Sequence, residues 1–161
     1  MNTRLVKILF SGAIGLYVAL VCFNNVFNYE ANFQFVTVIS KMDDIFSKEK
    51  NGWRSINSVF LHHLLFLFII AWELLIAVLI WVGFFKMVGK FRSGAMEFKN
   101  AKKYAALGLS LGVLLWFTAF IAIGGEWFLM WQSKSWNAQP TAFMLTCCFL
   151  LFLIHHTRDD D

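Results

Sequence analysis

Four long apolar stretches constrain this chain more than any other feature of its sequence. They cover about residues 5–27, 59–85, 104–131 and 141–156, and a helix of about 20 mostly apolar residues is long enough to cross a bilayer. Charged residues make up 15% of the chain, whereas a soluble domain carries about 25%. Because backbone amides in lipid must find partners within the protein, such stretches fold as helices. The sequence therefore predicts an all-α membrane protein, a single domain (residues 1–161) built as a four-transmembrane-helix bundle.

The lysines and arginines beside these stretches predict the orientation of the bundle. With four spans, both termini and the second loop lie on one side, and that side carries nine of the 14 basic residues. Short loops rich in basic residues stay in the cytoplasm, so both termini are predicted to be cytoplasmic. The partner that this charge suits is the lipid bilayer. Nucleic acid is not expected as a partner, since no separate basic domain is present.

The first outer loop has an apolar pattern of its own. Six apolar residues recur there at helical spacing: Phe35, Val36, Ile39, Met42, Ile45 and Phe46. Polar residues occupy other positions of the same helical wheel, and a helix with one apolar face lies at a membrane surface. The pattern predicts a short amphipathic interfacial helix over about residues 33–47, which lies on the outer membrane surface or caps the bundle.

Glu73 lies near the middle of the second predicted span, where ionisable residues are costly and indicate function by default. His62 precedes it by eleven residues and therefore lies only about 20° round the helix, at the outer end of the same stripe. One interpretation makes Glu73 a carrier of protons or ions. The other gives it a structural hydrogen bond to a hydroxyl such as that of Thr118 or Ser110. The sequence leaves both open.

A second group of polar residues is predicted to share one depth near the outer face. Its members come from the ends of three predicted spans and from the third loop: Asn24, Asn25, His62, His63, Glu126, Gln132, Trp136 and Asn137. One interpretation is an outer polar pocket that binds a ligand. The other is a hydrogen-bond network that satisfies helix ends and anchors the loop, which is the ordinary role of polar residues at helix ends.

The histidines do not predict a haem or metal site within one chain. His62 and His63 lie at the outer face, whereas His155 and His156 lie at the inner end of the fourth span. Adjacent histidines on a helix point about 100° apart, so neither pair supplies both axial ligands of a haem. A zinc or copper site at His62 or His63 with Glu126 would need a third ligand. No cofactor is therefore predicted, and no enzyme motif gives a catalytic residue.

Several short stretches resemble the bacterial family of domain of unknown function 2165, described as predicted small integral membrane proteins. The most specific stretch runs over residues 124–133 (GGEWFLMWQS), followed by Trp136-Asn137. Others are Phe23-Asn24-Asn25, residues 53–56 (WRSI), Leu61-His62-His63, and Glu73. The resemblance implies four membrane-spanning helices and a bacterial inner membrane. It implies no activity, and no catalytic residue follows from it.

Three functional hypotheses follow. The first is a non-catalytic accessory or interaction subunit, acting on a membrane protein partner or as a homo-oligomer, because the loops are short and motifs are absent. The second is a transport or proton-handling module that uses Glu73 and the outer polar pocket. The third is a redox subunit bearing haem or metal, which the positions of the histidines disfavour.

Overall fold

The computed structural model describes residues 3–159, which fold as helices joined by short turns and include no strand. The α-helices are α1 (Thr3–Phe27), α2 (Tyr29–Lys41), α3 (Lys48–Asn51), α4 (Val59–Gly89), α5 (Ala95–Leu114) and α6 (Gln139–Thr157). A π-helix (Leu115–Trp127) continues α5, and short 3₁₀ turns cover Gly52–Arg54 and Met130–Gln132. Four helical segments are long and apolar enough to cross a membrane: Thr3–Phe27, Val59–Gly89, Ala95–Trp127 and Gln139–Thr157. The all-α architecture with four candidate spans agrees with the expectation from the sequence.

The second and third spans extend further toward the second loop than their apolar stretches indicate. α4 continues to Gly89 and α5 begins at Ala95, where the sequence predicts helix only to about Phe85 and from about Tyr104. The extension is stabilised by packing, since Phe98 and Ala101 are buried against Ile8. Most charged residues of the same turns, among them Lys86, Glu97 and Lys99, are exposed on the other face, so the helices continue although the stretch is no longer uniformly apolar.

Small residues bring the helices together within the chain. α4 packs on α1 and α5, and α5 packs on α6. A Cβ added at Gly83 would overlap the backbone of Ala105. A Cβ added at Gly108 would lie 2.7 Å from Ile80 of α4, and one at Gly112 would overlap the ring of Phe149 of α6. The Gly108–Gly112 pair therefore faces two neighbouring helices of the same bundle, as close helix packing in lipid requires.

The third span changes both its helical type and its main partner at Leu115. From there each backbone N–H bonds to the carbonyl five positions earlier, as in the 2.9 Å bond from the Phe128 N–H to the Ile123 carbonyl. α5 packs chiefly on α4, whereas the π-helix packs on α6. The π-helix also lies close to the start of α6, since a Cβ added at Gly125 would lie 2.8 Å from Nε2 of Gln139. The half of the third span that follows Leu115 thus leans away from α4.

A helix in the first loop overlaps the predicted amphipathic helix but begins and ends earlier. α2 covers Tyr29–Lys41, whereas the prediction was about residues 33–47. It ends in a Schellman motif, with the Asp43 N–H bonded to the Val38 carbonyl and the Met42 N–H to the Ile39 carbonyl. Met42 adopts the left-handed conformation, with φ 56°. The strain of that conformation is offset by burial, since Met42 is 0% exposed.

Two buried lysines hold the two chain ends at the same end of the bundle. Nζ of Lys7 donates to the carbonyls of Arg158, at 2.5 Å, and Asp159, at 3.3 Å. Nζ of Lys102 donates to the Arg158 carbonyl at 2.9 Å. We refer to this end, formed by residues 3–10, 86–102 and 153–159, as the terminal end, and to the opposite end as the distal end.

We predict that Gly83→Ala destabilises the bundle and that Gly89→Ala does not. The new methyl group at Gly83 would overlap the Ala105 backbone, which cannot move without separating α4 from α5. Overpacking of this kind costs about 1–3 kcal/mol. Gly89 lies on the same helix, and a Cβ there would meet no neighbour. Chemical or thermal unfolding in detergent measures the difference, and equal stabilities would contradict the close approach at Gly83.

Candidate functional site

The distal end is closed by a cap of two segments, residues 28–58 and 128–138, which we call the distal cap. An apolar cluster joins them: Ile39, Met42, Ile45, Phe128 and Met130. The residues of the predicted outer polar pocket lie in this cap or in the helix ends below it. Their positions follow from how α1, α2 and α4 meet.

Glu73 makes a hydrogen bond between two spans. The amide Nδ2 of Asn25, near the end of α1, donates to Oε2 of Glu73 on α4 at 2.7 Å. Glu73 is 2% exposed. Neither hydroxyl suggested by the sequence is the partner in this bond: Ser110 donates to the Ala106 carbonyl of its own helix, and Thr118 is exposed. Glu73 therefore lies in the interface between α1 and α4, and the expectation of a hydroxyl on the third span is wrong.

His62 and His63 point to different elements. Nε2 of His62 lies 2.8 Å from the Ile56 carbonyl, in the segment that leads into α4. Since a carbonyl only accepts, this nitrogen carries the proton. Nδ1 of His63 lies 2.8 Å from the Tyr29 hydroxyl, and its ring stacks on Phe33 with centroids 4.0 Å apart. The first histidine fixes the entry into α4, and the second fixes α2 against it.

Tyr29 keeps its hydroxyl proton at neutral pH. Burial and the nearby carboxylate of Glu30 both raise the pKa of Tyr29 above its usual range. The hydroxyl therefore stays neutral beside His63, and its ring stacks on both His63 and Phe33. This aromatic stack makes α2 part of the bundle and not a detached surface helix.

Arg54 joins the first segment of the distal cap to the end of the π-helix and is not among the predicted site residues. Its guanidinium lies 5.4 Å from the ring centroid of Trp53 and 5.7 Å from that of Trp127. It donates to the Trp127 carbonyl at 3.3 Å and to Oδ1 of Asn51 at 2.9 Å. Cation–π contact with two tryptophans and bonds to the π-helix terminus hold this corner together.

Other polar residues bind the third loop to the first. Oε1 of Gln132 accepts from the backbone N–H and the hydroxyl of Ser47, the latter at 2.7 Å. The Ser133 hydroxyl donates to Asp44 at 2.5 Å and accepts from the backbone N–H of Trp136 at 2.8 Å. These bonds occupy the side-chain oxygen of Gln132 and the backbone N–H of Trp136, two residues that the sequence suggested for a pocket.

The predicted pocket residues do not converge on one cavity. Glu126 is exposed on the π-helix, and its main-chain carbonyl accepts from Arg54 at 3.5 Å. Asn24 is exposed, with its carbonyl bonded to Asn32 at 3.3 Å. Asn137 is also exposed and accepts from the Gln139 N–H at 3.1 Å. They point in different directions and do not share one depth, because Asn25 is bonded to Glu73, which lies eleven residues along α4 from His62. The group is therefore a set of bonds between helix ends and loops and not one pocket.

Within residues 3–159, no group of three histidine, cysteine, aspartate or glutamate side chains is placed to hold a metal ion. His155 and His156 lie near the end of α6, at the opposite end of the bundle from His62 and His63. The His155 ring packs 5.6 Å from that of Phe10. Cys22, Cys147 and Cys148 are free thiols.

Sequence reasoning missed the residues that act through the distal cap's tertiary contacts. Arg54, Tyr29 and Ser47 are ordinary loop or helix residues in the sequence, and their partners are 34 to 85 positions away. The available signal was the pair of tryptophans, Trp53 and Trp127, that lie beside Arg54 and Glu126 in the sequence. Chain separation of this size hides such pairs from local patterns.

One protein-family model matches the chain, that of the predicted small integral membrane proteins DUF2165, over residues 3–158. No curated protein and no solved structure matches it. The match extends from the first turn of α1 to the residue after α6, and thus includes all four candidate spans and the distal cap. The chain therefore belongs to the DUF2165 family of predicted small integral membrane proteins.

Proposed function

We propose that this protein is a non-catalytic accessory subunit that binds another membrane protein within the bacterial inner membrane, with both termini in the cytoplasm. The observation that carries the proposal is the position of the Glu73 side chain inside the bundle. The ionisable side chain that was the best candidate for chemistry inside the membrane is buried and bonded to Asn25 of the neighbouring span.

The remaining candidate residues support the same conclusion. His62 and His63 are bonded to Ile56 and Tyr29, and Gln132 is bonded to Ser47. A catalytic or transport site needs polar groups that converge on a substrate. Here the polar side chains point in different directions and stabilise the protein's own turns. The outer surface of the bundle is therefore the region through which we propose that the protein acts.

That surface is broad and apolar. Large hydrophobic side chains of all four spans are exposed, among them Leu16, Leu67, Phe117 and Leu151. Lipid covers such a surface in a lone protein, and a partner helix covers part of it in a complex. Helix association in lipid depends on close packing and not on the hydrophobic effect. A small bundle with short loops is suited to that role.

Proton or ion handling by Glu73 is the second candidate, because a carboxylate inside a span favours it. It requires Glu73 to exchange its bond with Asn25 for contact with water or an ion. A bond of 2.7 Å at a residue that is 2% exposed opposes this exchange. Haem or metal is assigned no role in the proposal.

Purification from the native membrane in mild detergent tests the accessory role. We predict that a second membrane protein elutes with the chain at a fixed molar ratio, and that the sample has no Soret band and no stoichiometric metal. An unrelated four-span membrane protein with the same tag is the control for non-specific retention. A lone, homogeneous protein in several mild detergents would contradict the proposal, and a Soret band would favour the redox hypothesis.

Reporter fusions test the orientation. Alkaline phosphatase fused after Gly52 is expected to be active, because the first loop is proposed to face the periplasm. A fluorescent protein fused after Ser93 or Arg158 is expected to fluoresce, because those sites are proposed to be cytoplasmic, in line with the excess of basic residues there. The reversed pattern of activity and fluorescence would contradict the proposed topology.

A further inference from the structure

A cavity of about 160 Å³ lies beneath α2 in the distal half of the bundle. It exists because the third span leaves α4 at Leu115 and packs on α6. α4 and the π-helix therefore diverge toward the distal end, and α2 covers the space between them. Residues of all three elements line it, including Val36, Ile69 and Phe120.

The lining is apolar apart from one hydroxyl. Ser40 contributes that hydroxyl, which already donates to the Val36 carbonyl at 2.6 Å. A buried water needs two to four polar partners, and apolar cavities of similar size stay dry. Water is therefore a poor occupant, and an apolar molecule is a good one.

The cavity opens sideways, toward the region occupied by lipid. Three residues of its lining are also exposed on the outer surface of the spans: Leu65, Phe68 (57% exposed) and Ile123 (47%). Phe128 and Met130 are buried and close it from the distal cap. Since the chain is an integral membrane protein, the opening is continuous with the surface that contacts hydrocarbon.

We propose that this cavity binds the acyl chain of a phospholipid from the leaflet at the distal end. The size agrees, because an apolar cavity of about 150 Å³ is sufficient to bind benzene, so a stretch of hydrocarbon chain fits here. A phospholipid is the expected occupant, because the opening faces the lipid of the bilayer. The inference is independent of the proposed accessory role and does not involve Glu73.

Photolabelling tests the proposal on the purified full chain in phosphatidylethanolamine–phosphatidylglycerol vesicles. The probe is phosphatidylglycerol with a diazirine in one acyl chain, and mass spectrometry maps the labelled residues. Labels are expected on residues 35–40 and 119–124. Ala119→Phe places a ring in the cavity. We expect this variant to lower that labelling about tenfold, because the acyl chain would bury less hydrocarbon and bind more weakly.

The matched control is Leu67→Phe, which adds a ring to the lipid-facing surface of α4 outside the cavity and is expected to leave labelling unchanged. Ile69→Ala enlarges the cavity and is expected to increase labelling, so the test does not depend on the folding of one variant. Equal labelling of wild type and both cavity variants would overturn the proposal. In native membranes, a photoreactive phenylalanine analogue in place of Phe68 is expected to crosslink to lipid, and a crosslink to a protein would also overturn it.

Discussion

The close approach of α4 and α5 at Gly83 and Ala105 is the contact on which the rest of the bundle depends. It fixes the antiparallel pair at the terminal end, where the loop between Gly89 and Ala95 is short. α1 also packs against α4, through Gly15, which faces Ile80. Because α5 is committed to α4 at this end, the change to π-helix at Leu115 turns the distal half toward α6. The opening between α4 and the π-helix, and the need for α2 to cover it, follow from that change.

Polar residues have a structural role at both ends of this bundle. In lipid, an unpaired polar group is costly, and several polar residues here join elements that apolar packing alone would leave free to slide. Asn25 and Glu73 fix the register of α1 against α4, and Lys7 and Lys102 hold the end of α6. In the distal cap, Arg54 bonds the first loop to the end of the π-helix. Residues that resemble a binding site in the sequence are therefore spread over contacts between different helices and loops.

The four spans could be predicted because a run of about 20 apolar residues indicates a spanning helix without knowledge of tertiary contacts. The directions of the polar residues could not be predicted, since direction depends on which helix each face meets, and the common depth predicted for them was wrong for Asn25, which is bonded to Glu73. The end of α2 was missed because Met42 adopts a left-handed conformation that glycine usually marks. The π-helix was missed because Leu115–Trp127 has no composition that separates it from an α-helix. The start of α5 was missed because its buried face, with Phe98 and Ala101, lies among lysines.

We infer that Glu73 is a structural residue that joins two spans and is not a carrier. A double-mutant cycle of unfolding free energies in detergent, with Asn25→Leu, Glu73→Leu and the combined variant, tests it most directly. The predicted coupling is about 1 kcal/mol, in the range of hydrogen bonds between membrane helices. Glu73→Gln, whose amide oxygen still accepts from Asn25, is predicted to stay close to the wild type. Additive effects of the two leucine substitutions, together with a Gln variant as unstable as the Leu variant, would contradict the claim.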